Sequence, residues 1–226
     1  MNETPVLIRK LTPTGFQELN RRIYLQQNDR NYPTTYMVSR LHRYATRILK
    51  AVRKDDVGKT PYHLSMAFSW STALANRYHV DLGEEMWKRF PGVCPYCTDA
   101  PCSCKERLDR RSRIEDITGQ KPETMVEFQM MFRRIYPANT IRDSAMHLAE
   151  EVGELDEAIE HYAGTHQGNL FEEIVIELVD EITNICAVAS CLNVDLAFAM
   201  EQNFAHGCPK CVGTPCTCGY TVSKVM

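Results

Sequence analysis

Cys94-Pro-Tyr-Cys97-Thr-Asp-Ala-Pro-Cys102-Ser-Cys104 is answered, 114 residues later, by Cys208-Pro-Lys-Cys211-Val-Gly-Thr-Pro-Cys216-Thr-Cys218. Every cysteine and both prolines keep their spacing. Working backward from the clusters, Val80-Asp81-Leu82 matches Val194-Asp195-Leu196 at the same offset. Phe16-Gln17 and Arg21-Arg22-Ile23-Tyr24 match Phe128-Gln129 and Arg133-Arg134-Ile135-Tyr136 at an offset of 112. Between these anchors Leu41, Ile48, Ala51 and Val52 pair with Leu148, Leu155, Ala158 and Ile159 at an offset of 107. Agreement at so many anchors means an internal duplication whose loops changed length while its elements stayed.

Apolar residues recur at spacings of three and four through each copy, the period of helices with one buried face, and no alternating strand pattern competes. Each copy reads as helix 1 (near Thr14 to Gln27; Pro122 to Tyr136), helix 2 (Thr35 to Lys54; Ile141 to Tyr162), helix 3 (Pro61 to Tyr78; Leu170 to Cys191) and a short helix 4 into the cysteines. Pro61 and Pro122 fall at favoured first-turn positions. The expected fold class is all-α: two pseudo-equivalent helical repeats packed as a four-helix-bundle core, each closed by a small knuckle and burying the apolar stripe the other leaves open. The boundaries implied are 1–104 for the first repeat, 105–121 for a charged linker and 122–226 for the second repeat.

With 226 residues, 44% of them hydrophobic, the chain has enough apolar surface for a real core. Val6, Leu7 and Ile8 form too short an apolar run for a signal peptide, and no stretch approaches the roughly 18 apolar residues of a membrane span, so a cytoplasmic setting and no membrane partner are expected. A formal charge of -3 gives no general reason to expect nucleic acid, although Lys105 to Arg113 is locally basic and reads as a solvated linker.

Eight of the ten cysteines lie in the two clusters; Cys186 and Cys191 sit in an apolar helical run and read as core packing. Without an export signal, clustered cysteines point to metal rather than disulfides. Cys-x2-Cys followed by Cys-x-Cys offers four thiolates on two tight turns, which suits tetrahedral Zn²⁺ at about 2.3 Å per sulfur. Two closed, structural zinc sites are therefore expected, at Cys94, Cys97, Cys102 and Cys104 and at Cys208, Cys211, Cys216 and Cys218, each coupled to folding. An iron–sulfur cluster fits less well.

In helix 2 of the second copy, Leu148, Val152, Leu155, Ile159 and Tyr162 share one face, and Glu151 falls inside that arc with Glu154 at its border. Helix 3 carries Glu173, Glu177, Asp180 and Asn184 as a narrow polar stripe in an otherwise apolar helix. Two such stripes facing each other gather Glu151, Glu154, Glu177 and Asp180. Like charges that close need a cation, and an all-oxygen set prefers Mg²⁺ or Mn²⁺. Helical acids that meet only solvent are the competing reading. Glu181 also maps into the apolar arc and either joins the site or pairs with the other unit.

Glu151-Val-Gly-Glu154 followed by Glu177-Leu-Val-Asp180, with 22 residues between the pairs, resembles the Glu-x-x-Glu, Glu-x-x-Asp signature of MazG-like all-α nucleoside triphosphate pyrophosphohydrolases. The surrounding HLAEEVGELDEAI is similar too, and the resemblance extends more weakly to Met86-Trp-Lys-Arg-Phe-Pro91 in the first copy. It implies Mg²⁺-dependent cleavage of a (d)NTP between its α and β phosphates, giving the monophosphate and pyrophosphate. Glu151, Glu154, Glu177 and Asp180 would hold Mg²⁺, and Glu150 or Glu154 would orient the attacking water.

The first copy departs at every acidic position: Tyr44 and Arg47 stand for Glu151 and Glu154, and His63 and Met66 for Glu177 and Asp180. It cannot build the same metal site. Arg43 and Arg47 bring positive charge to the equivalent face, where they could contact a triphosphate, pair with acids of the other unit or simply face solvent. Arg133, Arg134 and Arg142 are further phosphate candidates, and Asn203 is a candidate base contact. A non-catalytic nucleotide sensor and a zinc-knuckle nucleic-acid adaptor are the alternatives to the enzyme. Whether the chain forms a homodimer stays open, since a duplicated chain can do internally what single-unit relatives achieve by pairing.

Overall fold

The computed structural model describes residues 11–104 and 119–218. Among these residues the chain is helical with no strand: α1 (Pro13–Asn31), α2 (Thr34–Arg53), α3 (Thr60–Tyr78), α4 (Leu82–Arg89), α5 (Met125–Ile135), α6 (Ile141–Thr165), α7 (Gly168–Cys191) and α8 (Leu196–Phe204). Three longer helices, a short one and a cysteine cluster follow one another twice. The basic stretch from Lys105 to Arg113, and Val6 to Ile8, lie outside the described residues. No single helix among the described residues is long and apolar enough to cross a membrane.

Local chemistry sets the helix starts. Thr12 caps α1 ahead of Pro13, its hydroxyl accepting from the Gly15 N–H at 2.9 Å, while Asp81 and Asp195 cap α4 and α8 in the same way. The repeated Val-Asp-Leu triplet is thus a repeated N-cap. Pro61 sits in the first turn of α3 as its sequence position predicts. Pro122 does not: α5 begins at Met125, because Thr124 and Glu127 form a reciprocal capping box that fixes the start downstream of the proline.

Gln17 and Gln129 hold the two short helices in matching fashion. Gln17 donates to the Val80 carbonyl and accepts from the Leu82 N–H, both at 2.8 Å; Gln129 bonds Val194 and Leu196 at 2.8 and 3.1 Å. Each glutamine satisfies backbone groups that a helix start would otherwise leave unpaired.

α2, α3, α6 and α7 form the centre, with α2 against α6 joining the halves, α8 lying on α3 and α4 on α7. The buried apolar residues make one continuous cluster running from Leu11 to Cys216, and the paired stripe residues Leu41, Ile48, Leu148 and Leu155 are all fully enclosed in it. Each such side chain contributes about 1.5–3 kcal/mol through burial.

The cysteine clusters dock crosswise. The Cys102 N–H donates to the Ile135 carbonyl at the end of α5, and the Cys216 N–H donates to the Ile23 carbonyl in α1, both at 2.7 Å. Phe90 packs edge-on against Phe132, and Phe204 against Phe16, each with ring centroids 5.4 Å apart. Each knuckle therefore rests on the first helix of the other half rather than closing only its own.

Candidate functional site

The adjacent helices α6 and α7 bring Glu151, Glu177 and Asp180 together, with an oxygen of each within 4.8 Å of the others. Glu151 is 5% exposed and Glu177 2%. Both sit where the helical period puts them, on faces turned toward the partner helix. Carboxylates buried this closely repel unless positive charge is supplied. Glu154, one turn along α6, is half-buried and not part of this group. Glu150 is exposed and pairs with His147 at 2.9 Å.

One positive charge comes from a residue that sequence reasoning missed. Arg89, at the end of α4, reaches Asp180 with Nε at 3.1 Å from Oδ1 and Nη2 at 3.0 Å from Oδ2. The same Nη2 donates to the Tyr96 hydroxyl at 3.2 Å, and the guanidinium stands 5.4 Å from the Tyr96 ring. Burial disfavours the charge on Arg89, but Asp180 and Tyr96 outweigh it and hold its pKa above the ordinary arginine range. Within Met86-Trp-Lys-Arg-Phe-Pro91 it reads as one more charge of the short helix α4, beside Glu84, Glu85 and Lys88. In the second copy Asn203 takes its place, 114 residues on.

Glu181 is fully enclosed but faces α3. The Ser71 hydroxyl donates to one of its oxygens at 2.7 Å, and the other has no hydrogen-bond partner. Burial, with a smaller push from the charge of Glu151, raises its pKa to about 8, against the lowering effect of the Ser71 bond. Glu181 thus meets the other half through a hydroxyl rather than a salt bridge.

The remaining candidates lie apart. Arg43, Arg47, Arg133, Arg134 and Arg142 are exposed, with the Arg47 guanidinium 5.7 Å from the Tyr44 ring centre. Asn203 is half-buried and donates to the Ser65 hydroxyl at 2.8 Å and to the Ala199 carbonyl at 2.7 Å, which ties α8 to α3. Among the described residues of the first half no acid stands at the equivalent positions: Tyr44 and His63 have ring centroids 6.1 Å apart, and burial, then Arg47 and Lys59, lower the His63 pKa.

Both cysteine quartets close into metal-sized clusters. Sulfur pairs lie 3.8 Å apart for Cys94 with Cys104 and Cys97 with Cys102, and 3.9 and 3.8 Å apart for Cys208 with Cys218 and Cys211 with Cys216. These are not disulfides, which need about 2.05 Å. A tetrahedral ion with metal–sulfur bonds of about 2.3 Å has sulfur–sulfur edges of about 3.8 Å, so the residues fit such an ion.

Backbone donors prepare the thiolates. The Thr217 N–H bonds Cys211 Sγ and the Ser103 N–H bonds Cys97 Sγ, both at 3.4 Å. Chiefly through the Thr217 bond, Cys211 is brought down to about 5. Burial pushes Cys97 upward, but the Ser103 and Asp99 N–H groups outweigh it and bring the thiol to about 6. Cys104 and Cys216 move the other way, through burial and then their sulfur neighbours. That crowding is what a cation relieves. Tyr136 donates to Cys94 Sγ at 3.5 Å, and Tyr24 is the matching neighbour of Cys208.

Two cysteine clusters able to hold a metal ion, a buried acidic trio and an arginine bridging the two halves are therefore what the chain offers as sites. Comparison with protein-family models, with curated proteins and with solved structures returned no match.

Proposed function

We propose that the protein is a Mg²⁺-dependent nucleotide pyrophosphohydrolase, cleaving a (d)NTP or related nucleotide to the monophosphate and pyrophosphate in the second half of the chain. The observation that carries this reading is the meeting of Glu151, Glu177 and Asp180 oxygens within 4.8 Å on buried faces of α6 and α7. Opposite ligands of an octahedral Mg²⁺ stand about 4.2 Å apart, so small side-chain adjustments bring these three onto one ion. The likeness of the two acidic pairs to the MazG-like signature supports the same reading and extends it to the bundle arrangement.

Glu151, Glu177 and Asp180 would hold the ion, with Glu154 available to complete the set or to act on water. Bound there, Mg²⁺ supplies charge neutralisation at phosphate oxygens and lowers the pKa of a bound water. Of the two acids expected near that water, Glu154 stands half-buried one turn from Glu151, whereas Glu150 points to the exposed His147. Glu154 takes the proton as the water oxygen bonds to the α-phosphorus, and the bond to the bridging oxygen breaks to release pyrophosphate. Arg89 fixes Asp180 through both carboxylate oxygens, which sets the carboxylate plane before any ion arrives.

The two knuckles hold structural Zn²⁺ in this proposal, since four cysteine ligands leave no open position. The test is to incubate the zinc-loaded chain with dNTPs, NTPs and modified nucleotides plus Mg²⁺, beside Glu177→Gln. Release of monophosphate and pyrophosphate by the parent, reduced at least about a hundredfold in the variant, is expected. No product from any substrate, or an unchanged rate in the variant, would remove the enzyme from consideration.

A further inference from the structure

A cavity of about 450 Å³ opens where the first half would carry its own acidic site. Tyr44 and Met66, which line it, hold the positions on α2 and α3 that Glu151 and Asp180 hold on α6 and α7. The second knuckle forms one wall through Cys208, Cys216 and Cys218. Among the described residues no carboxylate lines this cavity; aromatic rings stand in its place.

Tyr32 and Tyr36 stack with centroids 4.7 Å apart and planes 15° apart, and Trp70 stands edge-on to them at 6.0 and 6.3 Å. Tyr44 and Tyr62 add a second edge-on pair at 6.4 Å. Among the described residues two cations accompany the rings. The Arg40 guanidinium lies 4.7 Å above the Tyr36 ring and is hydrogen-bonded to the Tyr36 hydroxyl, and Lys210 stands exposed on the knuckle.

This chemistry narrows the ligand. The volume lies within the roughly 300–1,000 Å³ of small-molecule sites. Tyrosine and tryptophan faces select a planar ring, and stacking a nucleobase on such a face contributes about 1–3 kcal/mol. A cationic guest, the usual occupant of an aromatic cage, is opposed by Arg40 and Lys210. With the knuckle loaded, its four thiolates and one divalent ion carry formally two negative charges, which these two cations balance. A triphosphate would bring excess negative charge with no carboxylate-bound metal to offset it, whereas a ligand of small charge fits.

We propose that this cavity is a second, non-hydrolytic site for a nucleobase, carried by a nucleoside or its monophosphate, with the base against Trp70 and Tyr62 and any phosphate at Arg40. The site stands independently of the acidic trio and needs no Mg²⁺.

Trp70 is the reporter. In the full chain carrying Trp87→Phe it is the sole tryptophan. AMP, GMP, CMP, UMP and the matching nucleosides are titrated against its emission, with zinc bound and Mg²⁺ omitted. Saturable quenching by at least one of them is expected. Tyr62→Ala, at an exposed ring, and Arg40→Gln should each weaken it about tenfold or more, while Glu177→Gln should leave it unchanged. Tighter binding of the monophosphate than of its nucleoside places phosphate at Arg40; equal binding with Tyr62 dependence places the base alone.

In the chain without substitutions, the same ligand should slow amide exchange in α2 from Tyr36 to Arg40, which keeps the test valid if Trp87→Phe disturbs folding. Absence of saturable quenching and exchange protection with every nucleotide and nucleoside overturns the proposal. So does binding that is lost in Glu177→Gln but kept in Tyr62→Ala, or saturable binding of choline instead.

Discussion

Arg89 from the first half and Asp180 from the second meet edge to edge, two nitrogens on two oxygens at 3.1 and 3.0 Å. Both side chains are largely shielded, at 7% and 15% exposure. Removing one member of such a pair leaves an uncompensated charge at a cost of about 3–5 kcal/mol. Arg89→Met should therefore lower unfolding free energy by about 3 kcal/mol, and Asp180→Asn added to it should recover much of the loss. If Asp180 also binds Mg²⁺, millimolar Mg²⁺ should shrink the Arg89→Met deficit in urea denaturation. An identical deficit with and without the ion would mean Asp180 serves Arg89 alone.

Glu154 and Glu150 separate by environment. Glu154→Gln should lower kcat at least about a hundredfold with little change in KM, because it removes a group needed as the water attacks. Glu150→Gln, which disturbs only an exposed pair with His147, should stay within about threefold of the parent. Steady-state kinetics on both variants decides the assignment, and the reverse ranking would transfer the proton to Glu150.

The knuckles predict both a stoichiometry and a direction of damage. Elemental analysis should find two tightly held zinc ions per chain. Replacing Cys211 by Ser should release one of them and, because the Cys216 N–H bonds the Ile23 carbonyl, loosen α1 in the opposite half. Hydrogen exchange mapped by mass spectrometry should show faster exchange in α1 than in α5. Faster exchange confined to α8 would contradict the crossed docking.

Glu181 ties stability to pH. Below about pH 4.5 its carboxyl is neutral in both folded and unfolded chains and carries no penalty. As pH rises toward about 8, the unfolded chain ionises while the buried group keeps its proton, so folding loses stability; above that the loss is constant. Ser71 on α3 bonds it, and the nearby Glu151 on α6 and Cys186 on its own helix add no positive charge. Glu181→Gln should gain on the parent by a few kcal/mol, to order of magnitude, between pH 5 and pH 8 in Mg²⁺-free denaturation. A pH-independent difference would show that burial does not hold the proton.

What could be read from the chain alone follows the range over which each signal acts. Cysteine spacing, N-cap aspartates and the apolar period are local, so the doubled element order, the quartets and the inward faces of Glu151 and Glu177 were legible. Pro122 misleads because two signals compete over a few residues and the Thr124–Glu127 box wins. Arg89 on Asp180, 91 positions apart, has no local signature, and neither does the Ser71 hydroxyl that meets Glu181. The aromatic cavity was half visible: the loss of acids at Tyr44, His63 and Met66 was plain, but the gathering of Tyr32, Tyr36, Tyr62 and Trp70 depends on how α2 and α3 pack.

Because each cysteine cluster leans on the opening helix of the opposite half, neither half is a finished object. A cut between Cys104 and Gly119 would give two fragments, each with an unseated cluster and a bared first helix, and the relief for both is to find one another again. The linear order of the two copies is thus a tether on what is physically a reciprocal embrace.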